Sequence, residues 1–131
     1  MYNHQNVTLR GFHWEVSSLT FNLNAATTKD DIGKAVSLDT AAPNTVKLAA
    51  DGETIIGRLA SFEDRTVEGS KVGAVELQFA NTLPIKAASG VAVGSTVVGA
   101  GGGEVKPAAA PNHAENYVVE IIGTNAVVIK V

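Results

Sequence analysis

His4, His13 and His113 are the only imidazoles in a chain of 131 residues that contains no cysteine. A metal site without thiolates needs imidazoles and carboxylates at short, regular spacing, such as two histidines four apart on one helix face. These three fit no such pair and read as exposed or hydrogen-bonded side chains. In "NHAEN" (112–116) His113 and Glu115 would share a face if extended, but they follow Pro111 and read as a loop. General acid–base work needs two carboxylates converging from separate elements, whereas the adjacent pairs Asp30-Asp31 and Glu63-Asp64 point apart and suit caps and turns. The glycine-rich "VVGAGGGEV" (97–105) fails as a dinucleotide loop: counting from Gly99 and Gly101, the last glycine position is occupied by Glu104. It also lacks the Gly-Lys-Ser/Thr of a phosphate loop and reads as a hairpin loop. Neither "ASG" (88–90) nor "EGSKVG" (68–73) gives the strained G-x-S-x-G serine elbow. No catalytic residue, cofactor or metal is therefore expected, and the chain is not expected to be an enzyme.

What must position the surface of such a protein is a β scaffold. Valine occurs 17 times against 8 leucines, and stiff β-branched side chains favour strands. Short apolar or alternating segments between turn signals predict nine or ten strands, among them 19–24, 34–39, 44–49, 53–62, 72–79, 83–87, 91–94, 95–100, 104–108 and 117–131. In 74–79, Val75, Leu77 and Phe79 share one face and Glu76 and Gln78 the other, the period of a strand half-buried against solvent or a neighbouring subunit. Gly123-Thr124-Asn125 separates "YVVEII" from "AVVIKV" as a hairpin turn would. Thr27 or Thr28 ahead of Asp30-Asp31 predicts one capped helical turn stopping at Gly33. "IGKAVSLDTAAPNTVKLAA" (32–50) weakly echoes "VGSTVVGAGGGEVKPAA" (93–109), as two similar hairpins do. The fold expected is a small, mostly β sandwich or barrel of short antiparallel strands.

Length and charge narrow the partners. The chain suits one domain. Ten Lys and Arg against thirteen Asp and Glu give a net charge of −3, with no basic run to track a phosphate backbone, so nucleic acid is not an expected partner. No stretch approaches the roughly 18 apolar residues of a membrane span, and the first 16 residues lack the basic and apolar regions of a secretory signal. A soluble protein made in the cytoplasm is expected, with the Asn6-Val7-Thr8 sequon a chance match.

Residues 1–18 stand apart from the domain expected over 19–131. Tyr2, Phe12 and Trp14 are three of the seven aromatics, and Phe12, Trp14 and Val16 alternate, so an extended chain would set them along one edge. Two readings stay open: an N-terminal arm with Tyr2, Phe12, Trp14 and Val16 as contacts to a partner or neighbouring subunit, or a first strand of the domain's own core.

The succession "DDIGKAVSLDTAAPNTVKLAADGETIIGRLASFEDRTVEGSKVGAVELQF" (30–79) resembles the capsid decoration, or cement, proteins of tailed bacteriophages. The likeness covers roughly residues 19–131 and is one of rhythm and composition: an acidic-glycine turn, a valine-rich hairpin, a strand such as Ile56-Gly57-Arg58-Leu59, then an apolar strand. It implies a β-rich protein on the outer surface of an expanded head, bound to the major capsid protein, commonly as homotrimers, with N-terminal arms reaching the shell. The alternative carried beside it is a receptor- or carbohydrate-binding β module, which would want exposed aromatics in a shallow groove.

Overall fold

The computed structural model describes residues 14–65, 67, 69–109 and 116–130, with the backbone alone described for 14–17. Among them run ten strands: β1 (Trp14–Leu23), β2 (Ala35–Leu38), β3 (Thr45–Leu48), β4 (Gly57–Leu59), β5 (Glu63–Arg65), β6 (Ser70–Pro84), β7 (Val97–Gly101), β8 (Glu104–Pro107), β9 (Asn116–Ile122) and β10 (Asn125–Lys130). The chain is mostly β, as its β-branched composition requires.

Five strands close on themselves in the order β1-β3-β2-β4-β6, with β6 returning to β1, so this part of the sheet is a barrel. All its pairs are antiparallel except β1–β3, where Asn22 and Leu23 lie parallel to Thr45 and Val46. β6 holds the molecule together. Residues 72–80 pair with β1 on one side, while the other side meets β5 at 70–72, β4 at 75–76 and β10 at 79–84. The continuation β6-β10-β9 forms a second layer, and the β7–β8 hairpin completes it.

Two cores follow from this division. Leu23, Val36, Val46, Leu59 and Val75 fill the barrel, with Phe21, Leu48 and Leu77 against them. Phe79, Leu83, Val97, Val105, Val118, Ala126 and Val128 fill the space between barrel wall and outer layer, together with Ala35, Ala49 and Ile55. Strand alternation explains how β2 serves both: Val36 points into the barrel and Ala35 out of it. β4 crosses β6 so closely that a Cβ at Gly57 would fall on the carbonyl oxygen of Glu76, which is why glycine stands there.

The predicted cap forms as a 3-10 turn at Lys29–Asp31: the Asp30 amide donates to Thr28 Oγ1 (3.3 Å) and the Thr28 amide donates to Asp31 Oδ2 (2.8 Å). The predicted hairpins also form. Gly123-Thr124 turns β9 into β10, and Gly102-Gly103, both at positive φ, turn β7 into β8 as a two-residue turn of mirror-image type demands. The two segments that echo each other, β2–β3 and β7–β8, lie side by side: the Ala35 amide donates to the Gly103 carbonyl and the Gly103 amide to the Ala49 carbonyl.

Three expectations need correction. Glu76 does not face solvent but is fully buried, because Arg58, its cross-strand neighbour, covers it. Glu63-Asp64 do not form a turn; with Arg65 they make a short edge strand against β6. Residues 91–94 are loop, held to β9 by a bond from the Gly94 amide to the Val118 carbonyl. As for the segment expected to be an arm, β1 begins inside it, and residues 14–18 take part in a strand whose partner is this chain's own β6.

Candidate interaction surface

Tyr2 and Phe12 lie outside the described residues. The backbones of Trp14 and Val16 belong to β1, with Trp14 opposite Ala80; Val16 falls at an irregularity where the register passes from Glu15 directly to Ser17. Ala80 in turn lies opposite Ile129 on β10, and Ile129 opposite Tyr117 on β9. Trp14, Ala80, Ile129 and Tyr117 thus form one cross-strand row over four strands. Paired residues share a sheet face, so Ala80, Ile129 and Tyr117 lie on one face, and Tyr117 is 47% exposed. Val119, next along β9, and Val93, beside the bonded Gly94, are exposed as well, extending an apolar border along the sheet's last strand.

That border is tied to its neighbours by hydrogen bonds. Asn116 is buried, and its side chain imitates a strand neighbour: its Oδ1 accepts the Val97 amide (2.8 Å) and its Nδ2 donates to the Val97 carbonyl (3.2 Å). The amide of Val118 donates to the Ser95 carbonyl. Over residues 14–21 β1 pairs with β6 alone among the described residues, since its pairing with β3 begins only at Asn22.

Beyond the end of β6 lies a cleft of about 390 Å³ between the loop 85–91, Glu104 of β8 and the β9–β10 turn. Ile85, Val91 and Ile121, which pack on the outer core, supply apolar lining, and Lys86, Glu104 and Thr124 supply polar lining. The Ile85 amide donates to the Thr124 carbonyl (2.9 Å) and the Lys86 amide to the Val105 carbonyl (3.0 Å), which fixes the loop's first residues. Next to them, Lys106 Nζ stands 2.7 Å from Asp51 Oδ1. Its hydrogen bond and charge hold the Asp51 carboxyl below the usual range, and Lys86 adds to the effect. Sequence reasoning passed over this cleft because its lining comes from three segments far apart in the chain. The one local signal was "ASG", whose Ala88 and Gly90 both take positive φ.

Among the described residues no three His, Asp or Glu side chains gather as a metal site, and no helix is long and apolar enough to cross a membrane. The cleft's lining includes no aromatic residue. No family model, curated protein or solved structure matches the chain. The described residues offer a β scaffold with an apolar border and an adjoining cleft, and an aromatic-bearing N-terminal segment precedes β1 in the sequence.

Proposed function

We propose that this chain is a structural virion protein of the capsid-decoration kind, which binds the outer surface of an expanded phage head and stabilises seams between major capsid proteins, as homotrimers on the shell. The observation that carries the reading is the register row Trp14–Ala80–Ile129–Tyr117: the backbone at the start of β1, which follows the segment holding Tyr2 and Phe12 in sequence, is in register with the row that ends at exposed Tyr117. An arm and a docking face side by side suit a protein that grips a surface. Tyr2, Phe12, Trp14 and Val16 are the arm's proposed contacts to the shell or to a neighbouring subunit. The rhythm of residues 30–79, which resembles decoration proteins, supports the same conclusion.

The mechanism needs no reacting group, cofactor or metal. Packaged DNA loads the seams between capsomers, and a subunit burying surface across a seam adds its binding free energy to the cost of opening it. A trimer engaging several sites gains by effective concentration even where each contact is weak. The two cores and the closed barrel keep the docking face preformed, which limits the ordering cost on binding.

The test is to mix the purified protein with expanded, undecorated heads and count bound copies per major capsid subunit after pelleting. Saturable binding at a simple ratio is expected. Absence of binding would sink the proposal and direct attention to glycan ligands, the alternative reading.

A further inference from the structure

Resting on that reading, we infer that the cleft beyond β6 is a socket for the shell protein, taking an apolar side chain of an extended segment that carries an acidic residue on one side and a basic residue on the other. The chemistry of the socket specifies this occupant. Its apolar lining, Ile85, Val91 and Ile121, is continuous with the outer core and suits an aliphatic or small aromatic side chain. Lys86 and Glu104 line the same cleft, yet neither forms an ion pair with the other or with any described residue. Elsewhere on this surface Lys34, Lys47 and Lys106 each have a carboxylate within 3.1 Å. Lys86 acts on the Asp51 carboxylate only from a distance, since Lys106 is its direct partner, so a cation and an anion without ion pairs of their own flank one apolar depression and are complementary to a segment of the opposite charge order.

The loop that forms the socket also carries two local costs. Ala88 sits at φ +59°, a left-handed conformation that alanine rarely adopts. The Ser89 hydroxyl is buried and has no hydrogen-bond partner among the described residues. Strain of this kind persists where the surroundings over-determine it and gathers at binding sites. Here the bonds from Ile85 to Thr124 and from Lys86 to Val105, with one from the Ser89 amide to the Lys86 carbonyl (3.2 Å), hold the loop in this conformation.

The socket lies apart from the Tyr117 face. β6 rises roughly 3.4 Å per residue, so Ile85 lies about 17 Å beyond Ala80. The odd spacing turns Ile85 to the core side, with Leu83, Ala126 and Ile121, and away from Ala80, Ile129 and Tyr117, so a shell segment in the socket makes a contact separate from that row.

Three single variants, Lys86→Glu, Glu104→Lys and Ala87→Phe, test the inference in the full chain, with wild type as reference in the head-pelleting assay. Lys86 and Ala87 are exposed and Glu104 is half-buried at the rim, so each variant should keep the wild-type melting temperature. Each charge reversal is expected to weaken head binding by about fivefold or more, and Ala87→Phe, which fills the socket, by about tenfold. Wild-type affinity in all three folded variants would overturn the socket while leaving decoration intact. Failure of the wild type itself to bind heads would overturn both.

Discussion

Arg58 and Glu76 face each other across β4 and β6, with Arg58 Nη1 3.2 Å from Glu76 Oε1 and the Glu76 side chain wholly buried. Arg58 Nε also donates to the Thr82 carbonyl at 2.8 Å, so one guanidinium ties the barrel strand β4 to two points of β6. The pair lies where β6 leaves the barrel for the outer layer, and its hydrogen bonds fix how β4 and β6 register there.

Removing one partner should therefore cost far more than removing both. Arg58→Met takes the guanidinium away from a buried carboxylate and is expected to destabilise the fold by about 3–5 kcal/mol, whereas Arg58→Met with Glu76→Leu should recover most of the loss. Urea denaturation of the two variants decides this; equal losses would mean the pair contributes no coupling.

Asn116 should be equally intolerant of change. Alanine there strips both Val97 backbone groups of a partner in a buried place, at a cost of roughly 2–3 kcal/mol. Aspartate can accept from the Val97 amide but cannot donate to its carbonyl, so Asn116→Asp should be destabilised at neutral pH and recover in part on acidification. Thermal melts at pH 7 and pH 4.5 read out both variants.

Acid sensitivity follows from two clamped carboxylates. The Ala50 amide, then the Ser37 hydroxyl, hold Glu53 below its ordinary value against the opposing effect of burial, and Lys47 assists. Burial pulls Asp31 upward but is outweighed by the Thr28 amide and by Lys34, leaving it depressed as well. Groups depressed in the folded state stabilise it above their ordinary values, 4.5 for Glu53 and 3.8 for Asp31, and that contribution is lost as the pH falls through those values and below. Glu53→Gln should lower stability at pH 7 by about 1 kcal/mol, allowing for its partial exposure, and flatten the melting-temperature profile between pH 5 and about pH 3. A profile as steep as wild type would assign the acid limb to other groups.

The N-terminal segment offers a functional prediction. Deleting residues 1–13, which stops short of β1, should leave the melting temperature within a few degrees of wild type while lowering head affinity by about tenfold or more. Trp14→Ala should act on binding more than on melting. A large melting loss instead would place Trp14 in the packing of the domain rather than in a contact with the shell. Unchanged binding after the deletion would remove the arm from the proposal.

Local rules read a good deal of this molecule correctly. The cap on Asp30-Asp31, the turns at Gly123 and Gly102-Gly103, and the inward course of Val75 and Phe79 all follow from residue type and a two-residue period. These are interactions between neighbours in the chain. Glu76 is where the same reasoning failed: alternation assigned it to the outer face of β6, and so it is, but that face is covered by Arg58 from a strand 18 positions away. The long strand expected over 53–62 shrank to Gly57–Leu59 for a related reason, since only there does β4 meet β2 and β6.

By itself, then, the sequence determined that this chain is mostly β and roughly where its strands turn. Only the tertiary structure decided that β6 serves two layers at once, that Glu76 is buried, that Trp14 and Tyr117 fall in one register row, and that loop 85–91, Glu104 and the β9–β10 turn enclose a cleft. The physical reason is that propensity and alternation act over a few residues, while closing a barrel brings together residues tens of positions apart whose pairing no local pattern encodes.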